Sequence, residues 1–145
     1  MDESNQTEMA AAERDDFLGV GGTGVLSVVR PDADRPHAVP VSYGYDAEEP
    51  AFYFRLATGA NSRKGELAGR GASFVVHGET GNGWRSVVAE GTLERTTDES
   101  VAARTLDGLR RVEIPYVDVF DRSTREVSFE FFYLDPDELT ARTEA

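Results

Sequence analysis

Apolar and polar positions alternate with a period of two along most of this chain, and that alternation predicts strands. Val25 to Arg30 reads as the first strand and His37 to Tyr45 as the second, with Ala38, Val39, Val41, Tyr43 and Tyr45 as its β-favouring content. The Asp- and Pro-rich stretch Pro31 to Pro36 is a turn that joins them as a hairpin. After an acidic turn from Asp46 to Pro50, Ala51 to Ala57 is a third strand, with Phe52, Phe54 and Leu56 on one face and Tyr53, Arg55 and Ala57 on the other. Ala72 to Thr80 is a fourth strand, Gly81-Asn82-Gly83 has hairpin turn chemistry, and Trp84 to Arg95 is a long fifth. Alternation places Trp84, Ser86 and Val88 on one face of the fifth strand and Arg85, Val87 and Ala89 on the other. Glu126 to Leu134 is the sixth, with Phe129, Phe131 and Tyr133 on one face and Phe132 and Leu134 on the other, a pattern that predicts burial on both sides. Asp135 to Arg142 reads as a turn leading into a short closing segment.

Helical spacing is sparser. Met9 to Leu18 predicts a short helix ended by Gly19, Arg63 to Gly69 a second behind the caps Asn61 and Ser62, and Asp98 to Arg111 a third with Ala102, Leu106 and Leu109 as its apolar stripe. Tyr116 to Thr124 mixes signals and fits an interface loop or an extra short helix. Gly21-Gly22-Thr23-Gly24 precedes a strand instead of linking a strand to a helix, so it reads as a loop entering the first strand and not as a dinucleotide fingerprint. Pro40 cannot donate a ladder hydrogen bond; its strand is therefore an edge, or bulged, or has a side reserved for something other than a neighbouring strand. Strands joined mainly by hairpins, with few and short helices, predict a mainly β fold, a six-stranded antiparallel barrel. With 145 residues, one domain over 1–145 is expected, residues 1–8 being a frayed start.

Charge narrows the partners. Fifteen basic against 27 acidic residues leave a net charge of −12, which argues against nucleic acid and anionic membrane surfaces. The scattered carboxylates and near-absence of lysine resemble proteins of salt-accumulating organisms, where screening tames self-repulsion; genomic base composition also exchanges lysine for arginine. No apolar run has the length of a membrane span and the N-terminus is acidic, so a cytoplasmic protein is expected. Cysteine is absent, which removes disulfides and thiolate chemistry. His37 and His77 lie on separate strands without ligand spacing, so no metal site is expected. No Gly-x-Ser-x-Gly elbow or other catalytic constellation stands out, and no catalytic residue is assigned.

One basic feature stands against this acidic background. Lys64 is the only lysine beside fourteen arginines, and it follows Ser62 and Arg63 at a capped helix start directly after a strand. Free backbone N–H groups there carry partial positive charge, so a phosphate would meet those donors together with the three side chains. Positive charge in a first turn opposes the helix dipole by about 0.3–1 kcal/mol per residue unless an anion compensates; the bland alternative is a solvated surface helix. Trp84, beside Arg85 and Ser86, is either a barrel-end plug or a ring stacked at a ligand, and spacing alone favours the plug. A phosphate grip with few catalytic side chains suggests that a bound cofactor carries the chemistry.

In order and spacing, four stretches resemble the FMN-binding split-barrel flavoproteins of the pyridoxamine 5′-phosphate oxidase-like superfamily, and the nitroimidazole-resistance-type branch more than the oxidase itself. They are Gly24-Val25-Leu26-Ser27, Val39-Pro40-Val41-Ser42-Tyr43-Gly44-Tyr45-Asp46, Tyr53-Phe54-Arg55-Leu56-Ala57 with Ser62-Arg63-Lys64-Gly65-Glu66-Leu67, and Trp84-Arg85-Ser86-Val87-Val88-Ala89-Glu90-Gly91. With Leu134 to Arg142 they cover most of the chain from Phe17 onward. The resemblance implies FMN as cofactor, with the phosphate held by Ser62, Arg63 and Lys64. Val39, Pro40, Val41, Ser42 and Tyr43 would line the isoalloxazine mainly through main-chain atoms, and Arg55, Leu56 and Ala57 would contact the flavin at a strand end. Ser86, with Trp84 and Arg85 beside it, stands where the oxidase has a glutamine reaching the cofactor.

Family members are homodimers with two flavins in clefts between subunits. The resemblance thus implies an FMN-dependent oxidoreductase acting on a small or electron-poor substrate. A non-catalytic flavin, deazaflavin or haem carrier or sensor on the same scaffold is the alternative. Departures from the oxidase are also legible. Ala38 stands where the oxidase has a phosphate-binding arginine, and the oxidase's Tyr and Arg pair and its Arg-x-His have no counterpart, which argues against pyridoxamine phosphate as substrate.

Overall fold

A computed structural model describes residues 6–30, 34–58, 69–81, 83–95 and 128–144. The predicted helices over 63–69 and 98–111, the stretch 116–124 and residues Ser62, Arg63 and Lys64 lie outside those residues. The elements are β1 (Gln6–Glu8), α1 (Ala11–Leu18), β2 (Gly21–Val28), β3 (His37–Asp46), β4 (Ala51–Thr58), β5 (Arg70–Thr80), β6 (Gly83–Arg95) and β7 (Ser128–Glu144). All pairings are antiparallel. The sheet order is β1-β7-β4-β3-β2-β5-β6, and β6 also pairs with β7. That last pairing closes six strands into a barrel, while β1 adds to the far end of β7 opposite Arg142 to Glu144. The mainly β, six-stranded antiparallel fold expected from the alternation is the fold observed, and α1 is the one helix among the described residues.

The barrel interior is aromatic. Phe74 makes edge contacts with Tyr43, Phe52 and Phe54 at centroid distances of 5.3, 5.3 and 4.8 Å, a geometry worth about 0.5–1.5 kcal/mol per pair beyond burial. Leu26, Val28, Val87, Ala89, Leu93, Phe132 and Leu134 complete the buried set. One end is closed by α1. Leu18 and Met9 enter the core, the Tyr43 hydroxyl donates to the Leu18 carbonyl at 2.9 Å, and the Tyr45 hydroxyl donates to Asp15 Oδ1 at 2.6 Å. The chain leaves this helix through Gly19 at φ 62°, a left-handed value that glycine adopts without strain.

Two predictions need correction, one for a steric reason and one because ladder pairing outweighs a local turn preference. Gly21-Gly22-Thr23-Gly24 is not a loop but the first half of β2, paired with Val41 to Gly44. A Cβ on Gly24 would lie 2.6 Å from both Phe74 Cζ and the Val75 carbonyl oxygen, so glycine is what lets this strand run over the core. Asp135-Pro136-Asp137 is not a turn but continues β7, which spans 17 residues. The register steps from Glu90↔Glu138 to Gly91↔Pro136, which leaves Asp137 as the extra residue of a bulge, a place where proline is tolerated in a ladder. The polar start of the chain also contributes more than a frayed end, since Gln6–Glu8 is β1.

Candidate functional site

The barrel is split along one seam. β3 and β4 pair only through Tyr43↔Phe54 to Asp46↔Ala51; beyond that point β3 continues back to His37 against β2 alone, and β4 continues to Thr58 against β7 alone. The hairpin is closed at its turn by the buried Asp46, whose Oδ1 accepts the Glu48 N–H at 3.2 Å, and it opens like a fork away from that turn. Pro40 falls on the unpaired tine opposite Val25, so of the three readings of that proline, the edge holds. A strand edge offers N–H and C=O groups in alternation.

The lips of this fork carry two of the predicted groups. Val39, Pro40, Val41 and Ser42 form one lip, and Arg55, Leu56 and Ala57 the other. Arg55 is half-buried on the outer side of β4 opposite Phe131, while Leu56 is buried in the core. Tyr53, also on the outer side, is buried to 1% and faces the Tyr133 ring across the ladder at 6.2 Å, so β4 is covered on both faces. Tyr43 turns its ring into the core, leaving main-chain atoms as what this position offers the fork. Burial pushes the Tyr43 phenol up to about 12, and burial followed by the bond to Asp15 pushes Tyr45 up as well.

The third predicted group lies elsewhere. Trp84, Arg85 and Ser86 sit on β6, three strand spacings from β3 through β2 and β5 and two from β4 through β7, about 14 and about 10 Å around the barrel. Trp84 is not a plug: it is 49% exposed on the outer face and stacks on His77 of β5 at a centroid distance of 6.3 Å. Beside the pair a hollow of about 120 Å³ is lined by Ser86, Arg142, Thr143 and Glu144. Arg85 faces the opposite way, into the barrel end, where its Nε lies 3.0 Å from Glu13 Oε1 of α1 and its Nη1 donates to the Trp84 carbonyl. Sequence reasoning missed His77 and Arg142 here, because only cross-strand register brings them beside Trp84 and Ser86.

Between the fork and Trp84 the outer surface carries an apolar row. Pro40, Val25, Val75 and Val88 are successive cross-strand partners, and Val25 is 39% exposed.

A six-stranded antiparallel barrel open along the β3–β4 seam is a split barrel. Residues 10–143 match the family model described as pyridoxamine 5′-phosphate oxidase, and the chain belongs to that family, within the superfamily of split-barrel flavoproteins. Among solved structures, the chain is similar to the FAD binding protein from Mycobacterium smegmatis, at 17% identity over 96% of this chain and 99% of that one, TM-score 0.65. It is similar to a FAD-binding protein from Mesorhizobium loti, at 20% identity over 97% of each chain, TM-score 0.63. A candidate 5-nitroimidazole antibiotic resistance protein from Bacteroides thetaiotaomicron shares 16% identity over 94% of this chain and 86% of that one, TM-score 0.53. No curated protein matches the sequence.

Proposed function

We propose that this protein is a homodimeric, flavin-dependent oxidoreductase of the cytoplasm, acting on a small, electron-poor substrate. The observation that carries this reading is the fork between β3 and β4, which ends, on the β4 side, four residues before Ser62-Arg63-Lys64. The free edge of β3 fits the pyrimidine rim of an isoalloxazine, whose carbonyls and imide N–H need donors and an acceptor in alternation. The FMN moiety would then be anchored by its phosphate at Arg63 and Lys64, with no help from Ala38. FAD-binding relatives of the same fold support a flavin.

A bound flavin supplies two-electron transfer; the chain supplies position and field. Val39 to Ser42 orient the ring through the backbone, Arg55 stands at the opposite lip, and the covered face of β4 excludes water on that side. A dimer would bridge the separation between the fork and Trp84. One protomer's Trp84 and Ser86 stand two to three strands from its own fork, whereas a two-fold pairing of outer faces across the Val25 row would bring them to the partner's fork.

The test is direct. The purified protein should be yellow and release flavin on denaturation; a colourless protein that takes up no flavin in high salt refutes the reading. Arg63→Ala with Lys64→Ala should weaken FMN binding by about 3–6 kcal/mol, since two charge-assisted bonds are lost at about 1.5–3 kcal/mol each. Unchanged affinity sinks the phosphate assignment. Bleaching by NADH or NADPH and reoxidation by a nitroaromatic or oxygen separates an enzyme from a flavin carrier.

A further inference from the structure

A second transverse row crosses the outer face toward the other end of the barrel. Ala38, Ser27, Ser73, Glu90 and Glu138 are successive cross-strand partners over five strands. Over this row and the next lies an open groove of about 650 Å³, inside the roughly 300–1,000 Å³ span of small-molecule sites. Val29 and Pro36 form an apolar wall, and the hydroxyls of Ser27, Ser73 and Thr92 and the carboxylates of Glu90, Asp137 and Glu138 line the remainder. The bulge builds this lining. It inserts Asp137 into β7, and Gly91 permits the close passage, since a Cβ there would stand 2.8 Å from the Asp135 carbonyl oxygen.

We propose that this groove is an adenosine subsite, so that the ligand is a dinucleotide whose nucleoside lies across β2, β5 and β6. This rests on the flavin reading above. The groove's carboxylates repel phosphate, which keeps the diphosphate outside, and they accept hydrogen bonds from what a neutral adenosine presents: the ribose 2′- and 3′-hydroxyls and the adenine amino group. The serine and threonine hydroxyls serve as donors to the ring nitrogens, and Val29 with Pro36 offers the base an apolar surface. Position agrees with chemistry. The groove opens at Pro36 and Ser27, beside the His37 end of the unpaired β3 edge, so a ligand leaving the fork at that end passes straight into it. A 2′-phosphate would meet the same carboxylates and be rejected.

The nucleoside has two sources, the flavin itself (FAD) or the electron donor (NADH), and titration calorimetry on the full chain separates them. If the flavin is the source, FAD binds at least about tenfold tighter than FMN, and Glu90→Gln with Glu138→Gln removes that advantage while FMN affinity and the melting temperature stay unchanged. If the donor is the source, FAD and FMN bind alike, FMN-loaded protein binds NADH at least about tenfold tighter than NADPH, and the double variant abolishes that preference. Equal flavin affinities with no NADH preference overturn the subsite, as does a variant that loses FMN and FAD equally. Should neither flavin bind, the flavin reading fails by itself, and adenosine alone decides the groove: saturable binding that the double variant abolishes sustains it, and no binding overturns it.

Discussion

Tyr43 matches a flavin-lining position, yet its ring is packed against Phe52 and Phe74 and its hydroxyl is bonded to the Leu18 carbonyl. Tyr43→Phe should therefore destabilise the fold by about 1–2 kcal/mol, because a buried carbonyl loses its donor, and leave flavin affinity unchanged; a loss of flavin without a loss of stability would reverse the assignment. The pH dependence has a definite sign. The phenol's ordinary value is 10.0 and burial raises it to about 12, so the folded state holds the proton longer than the unfolded chain. Its contribution is whole below pH 10, declines between pH 10 and 12, and is absent above. Urea midpoints across that window should fall more steeply for the wild type than for Tyr43→Phe. Gly24→Ala should cost about 1–3 kcal/mol by overpacking, since the Val75 carbonyl 2.6 Å away is backbone and cannot move aside; a denaturation midpoint equal to the wild type would contradict the close approach. Neither role was legible in the sequence. A tyrosine in an alternating strand and a glycine in a glycine-rich stretch take their meaning from Phe74, which lies on a different strand and more than thirty residues on.

At the level of elements, α1 is held to the barrel by side chains that a helix reading cannot interpret. Glu13 and Asp15 look like ordinary surface acids; the first meets Arg85 at 3.0 Å and the second the Tyr45 hydroxyl at 2.6 Å. Glu13→Ala should cost about 1–3 kcal/mol, because the Arg85 side chain is only 9% exposed and loses an ion-pair partner. Arg85→Met should cost less, since it removes the buried charge along with its need for a partner, and thermal melts of the two variants compare them directly. The strands themselves are legible wherever one face is buried, as in β5 and β6, because burial of one face imposes the period of two. Asp135-Pro136-Asp137 carries turn chemistry, which predicts an end to the last strand at Leu134. In the barrel the same three residues form a bulge, since the pairing of β6 with both halves of β7 outweighs a local turn preference.

For the whole molecule, charge and the outer face set the behaviour. With 27 acidic against fifteen basic residues the molecule repels itself on balance, so raising sodium chloride from about 0.05 to about 1 M should raise the melting temperature through screening; a fall would show that specific ion pairs outweigh self-repulsion. If outer faces pair across the Val25 row, Val25→Glu should convert a dimer to a monomer in sedimentation and weaken flavin binding together, while a dimer that survives the substitution places the interface elsewhere.

The sequence by itself determined the strand count of the barrel, the acidic surface, the family pattern and the basic run at Ser62 to Lys64, because periodicity, composition and contiguous motifs are local properties. Tertiary structure alone decided that β3 and β4 part company after Tyr43, that Val39 to Ser42 and Arg55 to Ala57 face one seam, and that Trp84 stands outward on His77 of the neighbouring strand. It also built the groove from Ser27, Ser73, Glu90 and Glu138. Those facts depend on ladder register, which joins residues far apart in the chain and is settled by which side chains fill the core together.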